Sequence, residues 1–208
     1  MKKLIAVTLA AVLCLSLCAC GIVDMPPNRE FSLGTVEGLK YENKFIGIGC
    51  ELDTGWSFKT EEEIRELNNF TQDMMDKDLQ EALKNATVVY DMMAMGPNQA
   101  DNIIVNLEKV PNARLMTLDL VKNCETLFPS VESSLKNVGY TNITHSIETV
   151  KVGGKDFTAM KLQASLYGTS MYQTNFFVKC NGYLASVAIT TMGINNVDNL
   201  LSNFYIVN

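Results

Sequence analysis

Apolar and polar residues alternate in four runs along the last third of the chain, and this period of two predicts four strands. The runs cover 143–152, 155–166, 170–180 and 183–191. Gly153-Gly154 and Asn181-Gly182 join them in pairs. Both dipeptides suit a type I′ turn, which needs positive φ at both central residues. We therefore predict two antiparallel hairpins, with a further turn at Gly168-Thr169 between them.

Further strands are predicted earlier in the chain, two of them before the first helix. Residues 41–52 place Ile46, Ile48 and Cys50 on one face, which indicates a single strand with that face buried. Two apolar runs at 87–95 and 102–110 predict the next strands. Folded structure is expected to begin near residue 35.

Helical spacing of apolar residues predicts two helical regions between these strands. The first begins at a capping box, in which Thr60 and Glu63 satisfy each other's backbone amides. It extends to about residue 83, with a break predicted near Asn68-Asn69. The second covers 120–138. Pro129 is expected to kink or restart this helix, and Gly139 to end it.

A short helix is predicted near the end of the sequence. Asn195 is expected to cap it, and its apolar face consists of Val197, Leu200, Leu201 and Phe204. The predicted order is therefore ββ-α-ββ-α-ββββ-α. Helices set between antiparallel hairpins are typical of an α+β fold, here an antiparallel sheet packed by helices.

Residues 1–19 have the layout of a secretory signal peptide. Lys2-Lys3 precedes an uncharged run of 16 residues, which is shorter than the roughly 20 that a membrane-spanning helix needs. The run ends at Leu17-Cys18-Ala19-Cys20, which resembles the bacterial lipobox. A small residue before the cysteine admits the peptidase, and the Cys20 thiol accepts lipid as a thioether. Cys20 is therefore the predicted lipid attachment site; an ordinary cleaved signal peptide or an uncleaved anchor is the alternative.

This prediction divides the chain into three parts. Residues 1–19 form the signal peptide, 20–34 a lipid-anchored tether containing Pro26-Pro27, and 35–208 a single α+β domain. Two acyl chains hold a protein stably where one holds it weakly. We therefore expect the protein on the extracytoplasmic face of the cell membrane, held there by its lipid anchor.

The acidic balance of the chain excludes one class of partner. The formal net charge is −6, and it becomes −8 once Lys2-Lys3 leaves with the signal peptide. Phosphate binding needs clustered lysine and arginine, so no nucleic-acid partner is expected. The same charge argues against electrostatic docking on anionic lipid, which leaves the membrane contact to the anchor.

Three cysteines follow Cys20, at positions 50, 124 and 180. An odd number cannot pair completely within one chain. Cys50 and Cys124 are expected to be buried, whereas Cys180, beside a turn, is a candidate for exposure. A bridge between Cys50 and Cys180 stays open as an alternative. The spacing fits no zinc site.

The sequence contains no recognisable catalytic set. Its single histidine, His145, shares a strand face with Ile143 and Ile147, and a local hydrogen bond is expected to hold it there. Three aspartates resemble a calcium loop only loosely, because its central glycine and distal glutamate are missing: Asp73, Asp76 and Asp78. No metal site and no cofactor are predicted. Paired carboxylates are the remaining route to catalysis.

The stretch YENKFIGIGCELDTGW at 41–56, followed by the acidic helix from Thr60, resembles uncharacterised lipoproteins of Gram-positive anaerobes. The order of elements over about 35–207 is similar to the PsbP-like fold. This resemblance implies an antiparallel sheet sandwiched by helices, in a domain of the assembly or binding type. Some such domains are linked to metal, but no residue here matches a metal site and none is carried over.

The leading hypothesis is a non-enzymatic, lipid-anchored module that binds an envelope protein, a wall component or a small ligand near the membrane. A carboxylate-based cell-envelope hydrolase is the alternative, and it predicts two acidic side chains converging in a pocket. A structural or envelope-stress lipoprotein without a tight ligand is the third, and it predicts neither a pocket nor an exposed aromatic cluster. Tyr167 and Tyr172 are candidate contact residues without an assigned role.

Overall fold

Antiparallel strands dominate the computed structural model, which describes residues 29–69, 83 and 85–207. Four strands form a small sheet in the order β1-β2-β3-β11: β1 Thr35–Glu37, β2 Lys40–Asn43, β3 Ile48–Glu51 and β11 Phe204–Ile206. Seven strands form a large sheet in the order β4-β5-β6-β10-β9-β8-β7: β4 Ser57–Phe58, β5 Val88–Met95, β6 Asn102–Lys109, β7 Tyr140–Val152, β8 Lys155–Leu166, β9 Thr169–Cys180 and β10 Tyr183–Met192.

Four helices accompany these sheets in the described part of the chain: α1 Glu61–Leu67, α2 Asn112–Thr117, α3 Leu120–Asn137 and α4 Val197–Leu201. The predicted α+β class and the antiparallel pairing of its strands are therefore confirmed, but two sheets are present where one was predicted. None of these helices combines the length and the apolar composition that crossing a bilayer requires.

The core lies on both faces of the large sheet, because most of its strands are buried on both sides. One face packs against the small sheet and α4, around Ile48, Phe176 and Leu200. The other face packs against α2 and α3 over β8 and β9, and against α1 over β5. The small sheet and α4 thus cover one face of the large sheet, and α1, α2 and α3 cover the other.

The observed order of elements differs from the predicted one. Four short strands precede α1 where two were expected, α2 is an additional helix, and Phe204 lies in β11 rather than in the last helix. The predicted burial of Val197, Leu200 and Leu201 is confirmed. Nothing in this arrangement bears out the PsbP-like assignment, which stays a prediction.

The single strand predicted at 41–52 is wrong, because a turn divides it into β2 and β3. The Asn43 side chain accepts the Ile46 amide at 3.1 Å, and the Asn43 carbonyl accepts the Gly47 amide at 2.9 Å. Gly47 has φ +68°, which closes the turn. Ile46 is fully buried there, so the apolar pattern indicated burial but not an extended backbone.

The hairpins of the large sheet occur where they were predicted, with two differences in the turns. Gly153-Gly154 has positive φ at both residues, as a type I′ turn requires. Asn181-Gly182 has positive φ only at the glycine, so it is not type I′. The middle turn consists of Tyr167-Gly168 rather than Gly168-Thr169, because Leu166 pairs with Thr169.

The predicted helix signals are largely confirmed. The capping box at Thr60 and Glu63 is present. The helix α3 runs through Pro129 without restarting and ends before Gly139, whose φ is +98°. The helix α1 ends at Leu67, and Asn69 beyond it has a left-handed φ of +58°. The Asn68 side chain bonds both backbone groups of Tyr90 in β5. The rest of the predicted helical region, 70–82, lies outside the described residues.

The three cysteines after Cys20 are all buried free thiols. Cys180 is therefore not exposed, and it does not bridge to Cys50. Cys20, the signal peptide and residues 20–28 of the predicted tether lie outside the described residues. Phe31 and Leu33, at the end of the predicted tether, pack against the core.

Candidate functional site

A cleft of about 670 Å³ lies between the edge strand β1 and the helix α1. Gly34, Thr35 and Val36 line one wall, and residues 58–61 with Ile64 line the other. Asp91 and Met92 lie at its floor. Ligand sites commonly have volumes of roughly 300–1,000 Å³ and combine apolar walls with a few polar groups. This cleft has both properties.

Asp91 is a buried carboxylate at a bulge of β5, between Tyr90 and Met92. Its Oδ1 accepts the Gly34 amide at 2.7 Å. Its Oδ2 accepts the Asn43 side-chain amide at 2.7 Å and the Tyr41 hydroxyl. Asp91 therefore connects β5 to β2 and to the segment that leads into β1.

The electrostatics of this carboxylate have two opposing causes. Burial raises the pKa of Asp91, and the hydrogen bonds from Tyr41, Asn43 and Gly34 oppose that rise. Burial, together with the neighbouring Asp91, raises the pKa of Tyr41 well above its ordinary range. A carboxylate oxygen accepts two hydrogen bonds, and Oδ1 accepts one from the described residues. Oδ1 therefore keeps the capacity for one more hydrogen bond.

A second cavity, a polar groove of about 320 Å³, lies between α4 and the strands β7, β8 and β9. Lys161 lies in it, with Nζ 3.2 Å from Glu148 Oε2 and 3.6 Å from Asp198 Oδ1. Partial burial lowers the pKa of Lys161, but these two carboxylates outweigh it and raise the pKa. Hydrogen bonds from Ser146 and Lys161 lower the pKa of Glu148. The groove thus holds an ion-paired ammonium rather than a protonated acid.

A strip of buried polar side chains lies on the helix-facing side of β6, β10 and β9, where they alternate with core residues. The polar strip consists of Asn102, Asn106, Glu108, Gln173, Asn175, Ser186 and Thr190. Two hydrogen bonds join its members, from Gln173 to Thr190 and from Ser186 to Asn175.

Several polar atoms of this strip have no hydrogen-bond partner in the described structure: Asn102 Oδ1, Glu108 Oε2, Gln173 Oε1 and Asn175 Nδ2. A buried unpartnered group costs roughly 1–3 kcal/mol. Burial raises the pKa of Glu108 to about 7, although Arg114 opposes the rise. The strip therefore lowers stability, and no contact within it compensates for Glu108.

Among the candidate residues named from the sequence that the structure describes, two lie at the groove. His145 borders the groove; its Nε2 is 3.2 Å from Glu125 Oε2, and its ring stacks on Phe128 at 3.5 Å. The expected local hydrogen bond is confirmed. Tyr172 lines the groove, whereas Tyr167 is 90% exposed at its turn.

No group of three metal-ligating side chains forms among the described residues. The aspartates at 73, 76 and 78, which resembled a calcium loop, lie outside those residues. Neither Asp91 nor Lys161 is among the residues predicted from the sequence. An aspartate within the apolar run VVYDMMAM was the available signal for Asp91. The sequence around Lys161 contains no such signal, because its partner Asp198 is distant in sequence.

No protein-family model matches the chain, and no curated protein matches it. Solved structures that resemble it include a protein of Bacteroides thetaiotaomicron VPI-5482, with a TM-score of 0.41 and 10% identity over 83% of this chain. The chain spans 50% of the length of that protein. Another is LpqN of Mycobacterium tuberculosis, described as involved in cell envelope biogenesis, with a TM-score of 0.36 and 10% identity. That match covers 77% of this chain and 83% of LpqN.

Proposed function

We propose that the protein is a non-enzymatic binding module, anchored through lipid on Cys20 to the extracytoplasmic face of the cell membrane. The observation that carries the binding role is the cleft between β1 and α1, with the buried Asp91 at its floor. Its anchoring rests on the lipobox-like Leu17-Cys18-Ala19-Cys20 and the short uncharged run before it.

The chemistry of the cleft defines the kind of ligand. Leu33, Val36 and Phe58 supply apolar contacts, and Asp91 Oδ1 supplies an acceptor. The ligand therefore has an apolar body and a hydrogen-bond donor, such as an amide or an amine. An envelope protein segment or a peptide of the wall has both features.

Photo-crosslinking tests this proposal in intact envelopes. A benzophenone amino acid at Val36, in the cleft wall, is expected to give one adduct of defined mass. The same group at Ile194, which is 81% exposed and outside the cleft, is the matched control and should not give that adduct. Thr35→Trp narrows the cleft and should abolish the adduct at 36. Identical adducts at both positions, or none at 36, would contradict the binding role.

The hydrolase hypothesis is the second candidate, because Glu148 and Asp198 converge on Lys161. Glycoside hydrolysis of this type needs one carboxylic acid whose raised pKa keeps it protonated, whereas the pKa of Glu148 is lowered. This supports binding over catalysis. Turnover of a cell-wall substrate that Glu148→Gln and Asp198→Asn each abolish would reverse that preference.

A further inference from the structure

The described chain enters the domain at one end of the large sheet. Arg29 donates hydrogen bonds to the carbonyls of Lys44 and Val207. Phe31 stacks on Tyr183 at 4.6 Å. Tyr183 follows the Asn181-Gly182 turn, and β8 begins after Gly153-Gly154 at the same end of the large sheet. We call this end, with its two turns, the anchor end.

The distance from the predicted lipid to the anchor end is limited by covalent geometry. Nine residue steps separate Cys20 from Arg29, and each step spans at most about 3.5 Å. The anchor end therefore lies within about 30 Å of the lipidated residue. A bilayer surface that holds Cys20 is thus within reach of this end.

The anchor end also carries exposed apolar side chains on α2 and at the start of α3. Asn112 fixes α2 there, since its side chain accepts the Gly182 amide at 2.7 Å and donates to Asn181 at 2.9 Å. Met116 on α2 is 84% exposed, and Val121 on α3 is 50% exposed. Neither packs in the core, although Leu115 beside them does.

Positive charge is concentrated at the same end of the molecule. The strand ends, turns and helix starts located there carry Arg29, Lys44, Lys109, Arg114, Lys122, Lys151, Lys155 and Lys179. The acids located there among the described residues are Glu30, Glu108, Asp119 and Asp156. The anchor end thus carries more basic than acidic side chains, although the net charge of the whole chain is acidic. Each lysine or arginine near an anionic membrane surface adds to the attraction to that surface.

We propose that the anchor end lies on anionic lipid, with Met116 and Val121 entering the headgroup layer and the basic side chains facing the headgroups. Apolar side chains beside cations are what interfacial membrane contacts use. The proposal rests on the lipid anchor at Cys20, and it departs from the expectation that anchoring alone makes the membrane contact. The opposite end, with Tyr167 and Ile194, then points away from the membrane.

Fluorescence of the full lipidated protein in vesicles tests this orientation. Met116→Cys is labelled with an environment-sensitive fluorophore, and Ile194→Cys, with 81% exposure at the opposite end, is the matched control. The described native cysteines are buried, so the label goes to the introduced thiol. In vesicles of phosphatidylglycerol and phosphatidylcholine, brominated lipid should quench the label at 116 at least threefold more than the label at 194.

Charge reversal tests the electrostatic part. Arg114→Glu should lower quenching at 116 at least twofold. Lys136→Glu, which changes the net charge equally at the opposite end of α3, should leave it unchanged.

Each remaining outcome is informative. Equal quenching at both positions in vesicle-bound protein would overturn the orientation but leave the anchor intact. Quenching that does not depend on phosphatidylglycerol would overturn the role of charge. Protein that stays in the supernatant would overturn the anchor, and the orientation with it.

Discussion

Replacing Glu108 by glutamine should stabilise the protein in a pH-dependent way. Glu108 is 7% exposed and its Oε2 has no partner among the described residues. Burial raises its pKa from the ordinary 4.5 to about 7. Below pH 4.5 the carboxyl is protonated in both the folded and the unfolded state. Between these values the folded state keeps a proton that the unfolded state has released, so the free energy of unfolding falls as pH rises.

The size of the effect follows from the width of this pH range. One pKa unit corresponds to 1.36 kcal/mol, so the full penalty above pH 7 is roughly 3 kcal/mol. Glu108→Gln removes the titration. The free energy of unfolding of the variant should therefore exceed that of the wild type by about 1–3 kcal/mol at pH 8, and by less than about 1 kcal/mol at pH 5. The lower bound allows for the glutamine amide, which also needs partners.

Urea denaturation at pH 5 and pH 8, followed by the fluorescence of Trp56, measures this difference. Glu51→Gln, at an exposed strand end, is the matched control and should change stability by less than about 0.5 kcal/mol at both pH values. An advantage of Glu108→Gln that is equal at both pH values, or no advantage at pH 8, would refute the assignment of a buried, destabilising carboxylate.

Three further predictions concern the core. Tyr41→Phe removes a hydrogen-bond donor from the buried carboxylate in the cleft, so urea denaturation should show a free energy of unfolding lower by about 1–3 kcal/mol. The control is Tyr205→Phe, because the Tyr205 hydroxyl donates to a surface glutamate, and it should lower the free energy of unfolding by less than about 1 kcal/mol. Equal losses in the two variants would contradict the role of the cleft carboxylate. Gly153→Ala places a Cβ on a residue with positive φ and 2.8 Å from a backbone nitrogen, whereas Gly154→Ala has only the strain of the positive φ. The melting temperature should therefore fall further in Gly153→Ala than in Gly154→Ala. The reverse order would contradict the packing of this turn. Burial raises the pKa of the Cys180 thiol to about 12, so it should resist a maleimide at pH 8 until urea is added, and rapid labelling of the native protein would contradict its burial.

The hairpin half of the fold follows from the sequence because its signals are local. Alternation marks β8 and β9, and glycine marks the turns between strands. The same pattern gives a wrong prediction for residues 41–52, because Ile46 is buried within a turn and not on a strand. Apolar periodicity reports burial, and a turn against the core can be as buried as a strand.

The sites could not be derived in this way, because their partners meet only after folding. Asp91 bonds Tyr41 and Asn43, which are about 50 residues away in the chain. The polar strip reads as the solvent side of alternating strands, yet the structure buries it on the helix-covered face of the sheet. Glu108 shows the consequence most clearly, since nothing in its local sequence indicates a raised pKa.

The mass of the mature N-terminal peptide tests the central claim most directly. Protein purified from membranes should begin at Cys20, and this residue should carry the mass of a diacylglyceryl group. Cys20→Ser should remove both the modification and the attachment to membranes. A mature protein that starts elsewhere without lipid, or a serine variant that remains membrane-bound, would contradict the account.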